Sequence, residues 1–191
     1  MSVRLEEIGE IKLERLNKIL AGVPGGVYKA SYAALKRAGD TAKSRAGQFA
    51  AEEYTISKGA FMKNVRVSTD IRSQGGSLVS LNIRYAGTVL PLLEFATRYS
   101  RGGRITTQVK RNGGASTLEH AFAERVYGPI AVFERLGKAR FPVEQKFGPS
   151  TAHMMQNEEV VRKMDDTIRE TFEKRVEHEI TRVLNGWGGS K

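Results

Sequence analysis

The feature that most constrains the fold lies near the C-terminus. Val160, Met164, Ile168, Phe172, Val176, Ile180, Val183 and Leu184 recur there at spacings of mostly four and three residues. Side chains at that spacing share one face of an α-helix, and so long an apolar face has to be buried. Asn157 offers a side-chain oxygen as N-cap, and Glu158 and Glu159 follow in the first turn, where carboxylates offset the helix dipole. Asp165–Arg169 and Glu170–Lys174 add charge pairs at helical spacing, each worth about 0.3 kcal/mol. Gly186 ends the run.

Two more helices are expected upstream. Leu5, Ile8, Ile11 or Leu13, Leu16, Ile19 and Leu20 trace an amphipathic helix that Gly22-Val23-Pro24-Gly25-Gly26 stops. A second helix runs from about Val27 to Glu53. Tyr28, Tyr32, Leu35, Ala42, Ala46, Phe49 and Ala50 form its stripe, and Lys29, Lys36, Arg37, Lys43 and Arg45 occupy its other faces. Its many alanines and glycines would let another backbone come close. Ser57 reads as the N-cap of a short turn, Lys58 to Asn64.

Strands dominate the middle. Val65, Val67, Thr69 and Ile71 alternate with polar residues, as do Val79, Leu81 and Ile83 beyond the turn Ser73-Gln74-Gly75-Gly76. Pro91 to Phe95 is short and apolar, a core plug rather than a strand. Arg98 to Gly114 reads as a hairpin arm with basic tips, carrying Arg101, Arg104, Lys110 and Arg111. The fold class is therefore α+β: a small antiparallel β-sheet, from about 65 to 146, packed by a long C-terminal helix, with N-terminal helices. Residues 1–26 form an N-terminal amphipathic helix and linker, and 27–191 the main domain.

Charge narrows the function. The chain carries 31 Lys and Arg against 21 Asp and Glu, a net charge of +10, and the excess lies before residue 151. Such a field attracts DNA or an acidic protein surface. With no cysteine there is no disulfide and no thiolate metal site. His120, His153 and His178 are scattered, and Asp165-Asp166 and Glu158-Glu159 diverge around a helix. Phosphate-loop, dinucleotide, zinc-protease and nucleophile-elbow signatures are absent. The reading is of a protein that is not an enzyme and takes no cofactor. No run of eighteen apolar residues suggests a membrane span, and the N-terminus does not read as a signal peptide.

The stretch from Tyr127 to Ser150 is bracketed by Gly128-Pro129 and Gly148-Pro149, which read as fixed turns. Between them Ile130 to Arg135 alternates as a strand, Leu136-Gly137-Lys138-Ala139 reverses the chain, and Arg140-Phe141-Pro142-Val143 extends again as an edge strand. Arg135 should share a face with Phe133, either at the sheet's rim or against a carboxylate, while Lys138 and Arg140 protrude. Phe147, Gly148, Pro149 and Ser150 form a structural turn into the last helix, with Phe147 anchored by burial and Gly148 held in a conformation set by Pro149.

The order "VFERLGK-R-P", "FGPS", Met154 and Asn157 to Glu179 resembles the minor tail protein Z family of tailed phages. Upstream, Ala38 to Val67 resembles the family's basic helix and following turn, and Val89 to Phe95 its short apolar segment. The resemblance implies a tail-completion protein at the head-proximal end of the virion's tail, assembled in the host cytoplasm and enabling head–tail joining. It implies a homo-oligomeric ring, with six copies matching a tail tube. The implied partners are the tail terminator, the tail tube or tape measure protein, or a head connector, with genomic DNA in the channel as a further contact. Arg135, Lys138, Arg140, Arg101, Arg104, Lys110 and Arg111 are the candidate interaction residues. A basic nucleic-acid-binding module is the alternative, supported by charge alone.

Overall fold

The computed structural model describes residues 16–74, 78–99, 104–126 and 128–186. The architecture is α+β, with small antiparallel sheets, helices toward the N-terminus and a long C-terminal helix. Two compact units divide it. The first draws on residues up to Ala46, on Val67–Arg84 and on residues from Val161 onward; the second holds Gly47–Arg66 and Tyr85–Val160. Most of the expected 1–26 segment falls outside the described residues.

In the first unit residues 16–20 are helical (α1), with Leu16 and Leu20 buried, and the chain then turns through residues 21–25. Helix α2, Gly26–Glu53, follows. Its buried strip is Ala30, Ala34, Ala38, Ala42, Ala46 and Ala50, each 0% exposed, flanked by Leu35 and Phe49. Tyr28 and Tyr32, expected in that stripe, instead lie exposed with their rings 5.7 Å apart. Alanine at every fourth position traces a narrow seam along the helix, and the two tyrosines fall to one side of it.

Helix α5, Glu158–Leu184, packs against α2. At one end Val183 would lie 3.3 Å from a Cβ placed on Gly26. Val160, Met164, Ile168, Phe172, Val176, Ile180 and Val183 are buried as the spacing requires, whereas Leu184 is exposed. Asn157 Oδ1 accepts from the amides of Glu159 and Val160 at 3.0 and 3.4 Å, as its N-cap position predicts. Gly186, at φ 71°, donates its amide to the Val183 carbonyl and closes the helix in a left-handed turn. Strands β1, Arg66–Gln74, and β2, Leu78–Ala86, form a two-stranded sheet, and Leu81 packs where Gly39 leaves α2 bare.

The second unit begins with the last turns of α2 and with α3, Lys58–Asn64, whose N-cap Ser57 accepts from Ala60 N at 3.1 Å. Short strands and two further short turns of helix fill the rest. Strand β3, Val89–Pro91, leads into a 3-10 turn at Leu92–Glu94, then come β4, Ala96–Arg98, and β5, Ile105–Gln108. Next are β6, Ser116–Leu118, β7, Ala121–Glu124, and β8, Ala131–Arg135. Finally β9, Val143–Gln145, and β10, Phe147–Ser150, lead to α4, Thr151–Met154. Leu92, Ile105 and Val132 centre a core against which Leu93, Val109 and Leu118 pack.

Among the described residues the strands make four separate sheets: β1-β2, β3-β10, β4-β5-β6 and β7-β8-β9. The expected single sheet is thus subdivided: β1 and β2, nine residues each, pair only with each other, and from β3 onward strands of three to five residues, interrupted by glycine and proline, form three small sheets. Gly148-Pro149 is not a free turn. It lies in β10, paired with β3, and the register shifts between Gly148 and Ser150, where proline has no amide to give. Phe147 is 47% exposed and does not anchor this segment. The buried anchor is Phe95, 4% exposed, whose ring would overlap any Cβ at position 148. Gly148 is therefore set by close approach of an aromatic ring. Ser150 does cap α4, accepting from His153 N at 3.1 Å.

Candidate interaction surface

Within the stretch singled out in the sequence, Tyr127 to Ser150, residues 131–145 fold as the β8–β9 hairpin, with β7 along the other side of β8. The register pairs Arg135 with Val143 and Glu134 with both Ala121 and Glu144. Ala131, Val132 and Phe133 are all buried, so β8 is the central strand and is covered on both faces. The edge strand expected over Arg140–Val143 begins only at Val143 and runs to Gln145 as β9; Arg140, Phe141 and Pro142 belong to the exposed tip, and Pro142 has no amide to give a ladder.

At the end of β8 the packing changes character. Phe122 of β7 stacks on Phe133 at 6.0 Å, and the Arg135 guanidinium carbon sits 4.6 Å over the Phe122 ring. Arg135 thus shares the Phe133 face and lies at the rim, exposed, against an aromatic ring. Beyond it residues 136–142 form an exposed tip. Lys138 and Arg140 protrude there, with Arg140 5.7 Å over the ring of Phe141. Leu136 and Phe141 are 64% and 53% exposed.

Charges under the tip are already matched. Lys146 Nζ lies 2.5 Å from Glu134 and 3.6 Å from Glu144. The hydrogen bond and charge of Lys146 hold the Glu134 carboxyl below its ordinary range, and Glu134 in turn raises Lys146. Because β7 starts at Ala121, opposite Glu134, the preceding turn faces the base of the tip. The result is an open concavity of about 620 Å³, lined by Glu119, His120, Ala121, Arg135, Leu136, Gly137 and Lys138.

The other candidates take different places. Arg101 lies outside the described residues. Arg104 is exposed just before β5. Lys110 is exposed, with its backbone bridged to Tyr54. Arg111 holds a helix end together. Its amide donates to the Glu53 carbonyl at 2.9 Å and its Nε to the Ala51 carbonyl at 2.6 Å. Those carbonyls belong to the last turn of α2, which lacks its own donors and favours a cation. Thr55 fastens the same corner, its hydroxyl lying against the Gln108 and Val109 carbonyls and accepting from Ala96 N. The structure adds Phe122, Leu136 and Phe141 to the surface. Two apolar residues inside a basic loop were the available signal for the last two.

Among the described residues no group of three or more His, Asp or Glu side chains could hold a metal ion, and no helix is long and apolar enough to cross a membrane. Comparison with protein-family models, with curated proteins and with solved structures finds no match to this chain.

Proposed function

We propose that the chain is a structural virion protein of a tailed phage, completing the head-proximal end of the tail and enabling head–tail joining as a ring of several copies. The observation that carries this reading is the order of the segments Ala38–Val67, Val89–Phe95, Val132–Pro142 and Phe147–Glu179, which resemble the minor tail protein Z family in sequence along most of the chain. Two of those segments meet in the β3–β10 pair, where Phe95 closes over Gly148. An exposed, cationic and apolar tip suits a part that joins other proteins by shape and charge.

The test is deletion of the coding sequence from the phage that carries it. Lysates should then contain filled heads and separate tails, and supplying the protein in trans should restore joined particles. Normal virions from the deletion would sink the assignment. If virions are normal and the purified chain binds random duplex with a steep salt dependence, the nucleic-acid-binding reading takes its place.

A further inference from the structure

At the tip of the β8–β9 hairpin the molecule leaves cations without carboxylates and large apolar side chains without cover. Arg135, Lys138 and Arg140 make no ion pair with a carboxylate among the described residues, while Lys146 takes up both Glu134 and Glu144. Two of the three cations lie against aromatic rings instead. Arg135 lies over Phe122 and Arg140 over Phe141, at 4.6 and 5.7 Å. A guanidinium that meets only a ring still has its N–H donors to offer, and their planar fork matches a carboxylate. Beside these donors Leu136 and Phe141 are 64% and 53% exposed, on either side of Lys138 in the loop.

We propose that the concavity between the Glu119–His120 turn and the tip is a docking site for an acidic protein segment that carries an apolar side chain among its carboxylates. Within the concavity the carboxylates meet Arg135 and the Lys138 ammonium and the apolar side chain covers Leu136; Arg140 and Phe141, further along the exposed tip, extend the same surface beyond it. The space, about 620 Å³, is of the size that takes a small ligand or a short extended segment, and it is too small for a duplex. Exposed leucine and phenylalanine between cations fit a protein partner, since anchors in protein interfaces are apolar groups ringed by charge. The inference rests on the tip itself and stands apart from the virion assignment.

The experiment is fluorescence anisotropy with the full chain and three labelled probes: a peptide of alternating aspartate and leucine, poly-glutamate of the same length, and a short random duplex. The aspartate–leucine peptide should bind most tightly. Lys138→Glu with Arg140→Glu should weaken it at least about tenfold, and Arg135→Lys, which keeps the charge but loses the planar fork, by about threefold to tenfold. Leu136→Ser should weaken that peptide while leaving the poly-glutamate response unchanged. Unchanged denaturation midpoints certify that each variant is folded. Absence of peptide binding, tighter binding of the duplex, or binding that these variants do not alter would each overturn the proposal. A phage deletion with unjoined tails alongside no peptide binding would defeat the docking site and keep the virion assignment; the opposite pair of results would do the reverse.

Discussion

The helix pair of the first unit and the short sheets of the second exclude water by different means. In α2 and α5 burial is distributed: six alanines on one helix and a stripe from Val160 to Val183 on the other share it. In the second unit it is concentrated at single points. Phe95 closes over Gly148, Thr55 gathers two carbonyls and an amide, and Arg111 tops the end of α2. A distributed core is weakened in proportion to what is removed from it. A core held at points should fail when something is added at the wrong one.

The largest expected effect tests the first half of that contrast. Phe172 is 5% exposed in the α5 stripe, and Phe172→Ala should cost about 3–5 kcal/mol through lost transfer energy and the cavity left behind. Urea denaturation measures it. An unchanged midpoint would mean that the stripe contributes nothing to the stability of the isolated chain.

Next comes the point contact. Gly148→Ala adds a single methyl group, yet that methyl overlaps the buried Phe95 ring, so the β3–β10 pair has to shift. Overpacking of this kind costs about 1–3 kcal/mol. Should the midpoint hold, the second unit would be softer at its centre than the contrast requires.

A smaller effect depends on pH. Asp165 Oδ1 on α5 is buried without a hydrogen-bond partner. Burial, and then the charge of Asp166, push its carboxyl above the ordinary value, against the pull of Arg169. The folded chain therefore keeps this proton to a higher pH than the unfolded chain does. Stability contributed by the group is full below the ordinary carboxylate pKa and falls as pH rises through the raised one. Asp165→Asn should remove that fall and be the more stable protein at neutral pH. A pH series of denaturation midpoints checks it, and parallel curves for the two proteins would refute it.

The same contrast explains what can be read from sequence. The α5 stripe and the N-caps at Ser57 and Asn157 depend on neighbours a few residues apart, and all are legible. The point contacts are not. Nothing near Gly148 names Phe95 as the ring above it, and nothing near Arg111 shows that the carbonyl of Ala51 needs a donor. The alanine seam is visible as small residues, but its phase is misleading because Tyr28 and Tyr32 look like better core residues than alanine. At the candidate surface the exposure of Lys138 and Arg140 follows from their place in a reversal. The concavity does not, because it arises from the register that sets Ala121 opposite Glu134. Register depends on pairing across the sheet and leaves no local mark.

The smallest effect is expected at the tip, where neither kind of core is involved. Residues 135–142 are exposed, and Lys138 makes no ion pair with a carboxylate among the described residues. Reversing Lys138 and Arg140 to glutamate together therefore removes no buried contact; it forfeits only the Arg140–Phe141 stacking, which at an exposed site is weak. The double variant should unfold within about 0.5 kcal/mol of the original protein, as ordinary surface changes do. Salt separates this expectation from a structural role for the tip. If the cations stabilised the fold through long-range attraction to Glu119 or Glu144, the variant would lose stability at low ionic strength and recover it as screening rises. A midpoint difference that stays near zero across that range would leave the tip's cations without any part in folding, and their cost-free exposure would then have to be explained by what they bind. A loss of more than about 1 kcal/mol at low salt would instead make the tip a third packing element of the second unit, held by charge.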